Sequence, residues 1–231
     1  MNKENISKSI NIISAAASEH NARLCAVIKN RDLDEIRFAI ETCGIKLVGE
    51  NRVQELLSHN ELLSSLCADV HFIGKLQTNK VKYIVDKVSC IESLDSERLA
   101  DEIQRRSSAI GKKMNVFIEV NIGEEEQKSG VMPNNLKAMI DKVLSCDALE
   151  LCGLMTVAPR CEKNEDYIPY FERMQELLLL AKQKCKKDRL ELSMGMSGNY
   201  MTALENGSTE IRVGTGIFGE RPIAPKRADI E

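Results

Sequence analysis

The chain has 231 residues and a formal net charge of −3, with 43% hydrophobic and 29% charged residues. That size suits one large α/β barrel or two small domains, and the mild acidity gives no reason to expect a nucleic-acid or membrane partner. No run of eighteen apolar residues exists and MNKENISKSI lacks the apolar stretch of a secretory signal, so a cytoplasmic protein is expected.

Ile6, Ile10, Ile13 and Ala17 recur at helical spacing and predict a helix ahead of the first strand. Short apolar runs then predict eight strands, at 24–28, 45–49, 70–73, 89–92, 116–121, 149–155, 190–194 and 210–214. Amphipathic stripes lie between them. Ile36, Ala39, Ile40 and Cys43 form one, Leu136, Met139, Ile140, Val143 and Leu144 another, and Phe171, Met174, Leu177, Leu178 and Ala181 a third. No Pro/Ser/Gly-rich linker interrupts the alternation. The expectation is therefore α/β class, a (β/α)8 TIM barrel with an extra N-terminal helix, forming a single domain over 1–231.

The eight cysteines are scattered without a CxxC pair, and His20, His59 and His71 are equally dispersed, so no metal site is expected. Cys25 and Cys90 sit in apolar runs, where a free thiol behaves as a small hydrophobe. Glu50 and Glu55 should face different sides of a starting helix rather than form a catalytic pair. Glu124 to Glu126 reads as a solvated loop, 182–187 as a charged helix end, and Met194 and Met196 as gap fillers without a role.

The end of the chain is more informative. Leu192-Ser-Met-Gly-Met-Ser197 and Ile211-Arg-Val-Gly-Thr-Gly-Ile-Phe-Gly219 are apolar strands that run into small residues and hydroxyls. Uncrowded backbone N–H groups at Ser197, Gly214 and Thr215 suit a phosphate dianion, and the loops after strands seven and eight are a common phosphate site in this barrel. Gly214-Thr-Gly-Ile-Phe-Gly219 also matches GxGxxG. With twelve residues after Gly219, however, the strand and acidic residue of a dinucleotide unit do not fit.

Lys29 follows the first strand and should stand at the same C-terminal mouth, on the inward side with Cys25 and Val27. Partial desolvation there lowers a lysine pKa and makes the amine nucleophilic toward a carbonyl. An aldehyde joined to a phosphate across one aromatic ring, as in pyridoxal 5′-phosphate, would engage both ends.

Seven blocks in one order carry a resemblance over nearly the whole chain: Ala26-Val-Ile-Lys29, Gly49-Glu-Asn-Arg-Val-Gln-Glu55, His71-Phe-Ile-Gly-Lys-Leu-Gln-Thr-Asn-Lys80, Val120-Asn121 with Lys128-Ser-Gly130, Gly153-Leu-Met-Thr156, Leu192-Ser-Met-Gly-Met-Ser197, and Gly207-Ser208 with Arg212-Val-Gly-Thr215 and Ile217-Phe-Gly219. They resemble the pyridoxal-phosphate homeostasis proteins (YggS/PROSC type), related to the barrel domain of alanine racemase. The resemblance implies a Schiff base on Lys29, phosphate contacts from Ser197, Gly214 and Thr215, Arg212 facing the pyridine nitrogen, and Asn51 and Met155 lining the pocket. It attaches no clear role to His71, Gln77 or Asn79.

Three positions depart from the family pattern. Ile28 replaces a usual serine and should face the helices. Arg52 replaces a common aromatic. Gly198-Asn199 stands where an acidic residue often follows, which bears on the phosphate loop.

A cation at Arg212 would disfavour protonation of the ring nitrogen and weaken the electron sink that racemases use. The second proton carrier of alanine racemase, a tyrosine, comes from an added β-domain, whereas this sequence ends soon after its eighth predicted strand. The expectation is thus a non-catalytic, monomeric carrier in vitamin B6 and amino-acid homeostasis, with pyridoxal-phosphate-dependent apoenzymes as recipients. The alternatives are a slow amino-acid racemase and a Schiff-base aldolase acting on a phosphorylated sugar.

Overall fold

The alternating runs become eight parallel strands that close into one barrel in sequence order, with the last strand paired to the first. This computed structural model describes residues 3–220; residues 1–2 and 221–231 of the expected domain lie outside them. The strands are β1 (Arg23–Val27), β2 (Leu47–Glu50), β3 (Asp69–Phe72), β4 (Cys90–Leu94), β5 (Met114–Glu119), β6 (Leu149–Met155), β7 (Glu191–Ser193) and β8 (Glu210–Val213). All eight predicted strands form, with ends shifted by at most two residues. Two of the changes have local causes: β4 runs on past a register irregularity to Leu94, and Gly214 leaves the sheet to cap a helix.

The helices are α1 (Lys3–Glu19), α2 (Leu33–Arg37), α3 (Val53–Ser65), α4 (Glu97–Ala109), α5 (Leu136–Leu144), α6 (Ile168–Cys185), α7 (Tyr200–Glu205) and α8 (Thr215–Phe218). Helix α1 is the predicted extra element, and its stripe of Ile6, Ile10, Ile13 and Ala17 is buried. In α5 the stripe ends one position early. Leu136, Met139, Ile140 and Val143 are buried, but Leu144 has rotated off the core-facing sector and is 48% exposed. The stripe from Ile36 to Cys43 does not form one regular helix. After α2 the chain widens into a π turn over Phe38–Thr42, where Cys43 N–H reaches back to the Phe38 carbonyl at 3.1 Å. The β3 to β4 connection is a 3₁₀ turn, Thr78–Tyr83, in place of an α-helix.

Strand alternation divides the interior in two. Ala26, Ile28, Val48, Val70, Ile91, Ile118, Leu154 and Ile211 face outward into one large core shared with the helices. Ile28 thus packs where its place in the strand predicts. The inward faces are different. On the β4 to β6 side, Cys90, Phe117 and Met155 form a separate small apolar cluster. On the β7 to β8 side, with His71 of β3 and Glu92 of β4, the filling is polar: Ser193, Glu210 and Arg212 are all at most 4% exposed. No helix among the described residues is long and apolar enough to cross a membrane.

Close backbone approach ties the tips of β2 and β3. A Cβ added at Gly74 would lie 2.1 Å from the Asn51 carbonyl oxygen and 2.7 Å from Asn51 Cα, so two backbones share space that only glycine leaves free. Gly74→Ala is expected to destabilise the protein by roughly 1–3 kcal/mol, the usual cost of overpacking. Denaturant unfolding of the two proteins would check this, and an unchanged midpoint would contradict it.

Candidate cofactor site at the C-terminal mouth of the barrel

Barrel closure brings the first and last strands side by side, with Cys25 opposite Arg212 and Ala26 opposite Val213. The loops that leave their C-terminal ends therefore face one another. Between them lies a cavity of about 350 Å³, lined by Lys29, Asn51, Ser197, Gly198, Arg212, Gly214 and Thr215 and by the apolar Val27, Ile73, Val157 and Met196. Its volume is in the range of small-molecule sites, roughly 300–1,000 Å³, and it pairs apolar walls with a few convergent polar groups.

Six of the seven predicted site residues meet in this one cavity. The seventh, Met155, is not on its wall. It ends β6 and is buried with Cys90 and Phe117 inside the barrel. Met196, read from the sequence as a gap filler, is instead 40% exposed at the cavity wall, whereas Met194 is buried. Ile73 and Val157 were not legible as wall residues. Each lies just past a strand end, where strand alternation no longer says which way a side chain turns.

Each polar group has a built position. Lys29 follows β1 and precedes Asn30, whose backbone is left-handed at φ 56°. Asn30 is fastened from α3: its N–H donates to Glu55 Oε2 at 2.6 Å, and Arg52 Nη1 donates to both Asn30 Oδ1 (3.2 Å) and Glu55 Oε1 (3.0 Å). Arg52, in the place of the family's aromatic, thus braces the residue after Lys29. Glu50 and Glu55 do not form a pair. Glu50 is fully buried against His59 Nδ1 at 3.0 Å and accepts from the Asn51 N–H at 2.9 Å. Asn51 Oδ1 is buried without a hydrogen-bond partner, an unmet acceptor of the kind a bound donor would satisfy.

The phosphate loops are fastened to each other. Gly216 N–H donates to Ser197 Oγ at 3.0 Å, which leaves the serine proton to be given to an anion. Gly214 caps the four-residue helix α8 against Val27, whose atoms an added Cβ would meet at 3.3 Å. Asn199, in the Gly198-Asn199 pair that departs from the family pattern, is buried; its Oδ1 accepts from Met196 N–H at 2.8 Å and closes the loop before α7.

Arg212 is 4% exposed and held by two hydrogen bonds. Its Nη1 donates to Ser193 Oγ at 2.6 Å and its Nη2 to the Thr156 carbonyl at 2.7 Å. Beneath it Glu92 takes His71 Nδ1 at 2.7 Å and Ser193 Oγ at 2.6 Å, while Glu210 takes Arg23 Nη2 at 2.7 Å. Cys25 Sγ lies within 4.8 Å of the Glu92 and Glu210 carboxylates. Burial, reinforced by those two carboxylates, pushes the Cys25 thiol well up, so it stays protonated.

Burial alone would pull the His71 pKa down, but hydrogen bonds and charge from Glu210 and Glu92 outweigh it and raise it to about 10. Burial pushes Glu92 up, and His71, Glu210 and Arg212 together reverse that. Glu210 is raised, by burial first and then by the charge of Glu92. His71 is therefore a structural imidazolium within the barrel. Gln77 and Asn79, from the same sequence block, are exposed, and Asn79 lines a separate groove with Arg98 and Glu102.

Because His71 binds its proton more tightly folded than unfolded, its stabilisation is complete below pH 6.5 and is lost as pH rises through about 10. A melting series from neutral pH through that range should show a steeper fall in Tm for the wild type than for His71→Gln. Parallel curves would contradict the assignment.

Comparison with known proteins identifies the family and the fold. Residues 1–222 match the family described as alanine racemase, N-terminal domain. The chain is 44% identical over 207 residues to the pyridoxal phosphate homeostasis protein of Aquifex aeolicus, covering 90% of each chain. It is 37% identical over 221 residues to the human protein of that name, covering 88% of this chain and 78% of the other. Among solved structures, PipY of Synechococcus elongatus with PLP bound superposes with a TM-score of 0.79 at 32% identity, over 86% of this chain and 93% of that one. Alanine racemase from Corynebacterium glutamicum shares the fold, with a TM-score of 0.75 at 16% identity over 96% of this chain and 62% of that one. The chain belongs to the pyridoxal phosphate homeostasis protein family, built on the barrel of the alanine racemase N-terminal domain.

Proposed function

We propose that the chain binds pyridoxal 5′-phosphate in the cavity at the C-terminal mouth and acts as a carrier in vitamin B6 and amino-acid homeostasis. The observation that carries this reading is one cavity holding an amine, a cation and a phosphate cradle: Lys29, Arg212, and Ser197 with Gly214 and Thr215. A relative solved with PLP bound, and relatives named for pyridoxal phosphate homeostasis, support it.

The residues fit the group. Lys29 supplies the amine that attacks the aldehyde carbon. Ser197 gives its free hydroxyl proton to the phosphate, and the backbone N–H groups at the start of α8 face the same anion. Val27, Ile73, Val157 and Met196 offer apolar surface to the ring, and the unpaired Asn51 Oδ1 can accept a ligand proton. When bound, the cofactor supplies an aldehyde and an electron-withdrawing ring.

The reading is a carrier rather than an enzyme for two reasons. Arg212, pinned by Ser193 and Thr156, would set a permanent cation beside the ring nitrogen and disfavour its protonation. Among the described residues, those lining the cavity include no histidine, tyrosine, cysteine or carboxylate to serve as a second proton carrier opposite Lys29. A cytoplasmic, monomeric protein that hands the cofactor to apoenzymes belongs to the same proposal.

Purified protein mixed with pyridoxal 5′-phosphate should acquire a visible absorption band and a borohydride-trapped adduct on Lys29. Lys29→Ala should lose the adduct and keep the fold, and an adduct retained elsewhere would overturn the assignment. Ser197→Ala should weaken binding by about 1.5–3 kcal/mol, one hydrogen bond to a charged group. Chiral analysis of alanine and serine after long incubation decides between carrier and racemase. Turnover well above that of the free cofactor would establish the latter.

A further inference from the structure

The polar floor of the cavity continues downward into the barrel through side chains that do not themselves line it. Arg212 has donors only, and its Nη1 points at Ser193 Oγ from 2.6 Å. A serine hydroxyl carries one proton. With its lone pair turned to the guanidinium, Ser193 directs that proton to Glu92 Oε2 at 2.6 Å, in preference to Glu210 Oε1 at 3.2 Å. The other Glu92 oxygen is taken by His71 Nδ1 at 2.7 Å. Ser193 and Glu92 are at most 1% exposed, so bulk water does not reach them to replace either contact.

We propose that Ser193 and Glu92 are positioning residues for Arg212: the Glu92 carboxylate orients the Ser193 hydroxyl, and the oriented hydroxyl holds the guanidinium in place at the ring side of the cavity. The inference rests on the binding of pyridoxal 5′-phosphate proposed above. Without the carboxylate the hydroxyl keeps only the longer contact to Glu210 Oε1 at 3.2 Å, and its proton leaves the direction in which the lone pair faces the guanidinium. Without the hydroxyl, Arg212 keeps only its contact to the Thr156 carbonyl among those described. The phosphate cradle at Ser197, Gly214 and Thr215 lies in the loops that leave β7 and β8, and the Gly216–Ser197 bond that fastens them involves neither Ser193 nor Glu92.

The test is titration with pyridoxal 5′-phosphate, and separately with pyridoxal, of the wild type, Ser193→Ala, Glu92→Gln, Arg212→Met and the Ser193→Ala/Arg212→Met double variant, with circular dichroism to confirm folding. Ser193→Ala and Glu92→Gln should each weaken pyridoxal 5′-phosphate binding about tenfold and shift the absorption band of the bound cofactor. The ratio of affinities for the phosphorylated and unphosphorylated ligands should stay constant, because the cradle is intact. In the Arg212→Met background, Ser193→Ala should have no further effect, since a residue that acts only through Arg212 has nothing left to position. The inference is overturned if Ser193→Ala leaves affinity and band unchanged, or weakens binding equally with and without Arg212. If Glu92→Gln does not fold, Ser193→Ala decides the matter, because it removes a single hydroxyl. A wild type that binds no pyridoxal 5′-phosphate overturns the binding proposal along with this one, whereas wild-type binding with an inert Ser193 overturns this one alone.

Discussion

The mutual neutralisation of charges inside the barrel is the constraint on which the rest of the structure depends. Closing eight strands leaves a central volume that side chains must fill, and branched apolar residues usually fill it. Here part of that volume holds Glu92, Glu210, His71 and Arg212, with Ser193 between Glu92 and Arg212. A buried charge without a partner costs several kcal/mol, so each of these groups is tolerable only while the others are present. The contacts join β3, β4, β7 and β8 across the lumen, and Arg23 brings in β1.

That network also explains how the mouth of the barrel obtains a fixed cation. Arg212 is anchored from below by Ser193 and from the side by the Thr156 carbonyl. The mouth then needs only short loops, because the pairing of β1 with β8 already sets Lys29 and Gly214 just past the ends of adjacent strands. Asn30, Glu55 and Arg52 hold one side of the cavity, and Asn199, Ser197 and Gly216 hold the other. Placing catalytic or binding groups on loops while a rigid sheet sets their spacing is a general use of this fold.

Much of this was legible from residue order. Period and strand count identified the barrel, since parallel strands buried on both faces read as apolar runs and amphipathic stripes mark the helices between them. The Lys29 loop and the Ser197 and Gly214 loops were legible because small residues and a lone amine after apolar runs are unusual. The polar lumen was not. Glu92, Ser193 and Glu210 sit inside short runs such as Cys90-Ile-Glu-Ser-Leu94, which is fully buried, and one sequence does not tell a buried paired carboxylate from an exposed one. Met155 and Met196 were misread for a related reason. Strand alternation gives the side of the sheet a residue occupies but not its height in the barrel, and it stops applying beyond the strand end. The π turn at Phe38–Thr42 escaped because one extra residue per turn barely disturbs a stripe of four apolar positions.

The shared proton of Ser193 has a consequence for how such a chain can vary. An acceptor for Arg212 that is also a donor to Glu92 joins β7, β4 and β8 into one unit of inheritance. Replacement of any one partner leaves a buried donor or acceptor in the lumen without its match, so descendants should carry these residues intact or exchange them together. Covariation among the three columns, rather than invariance of any one, would be the evolutionary imprint of that single hydroxyl.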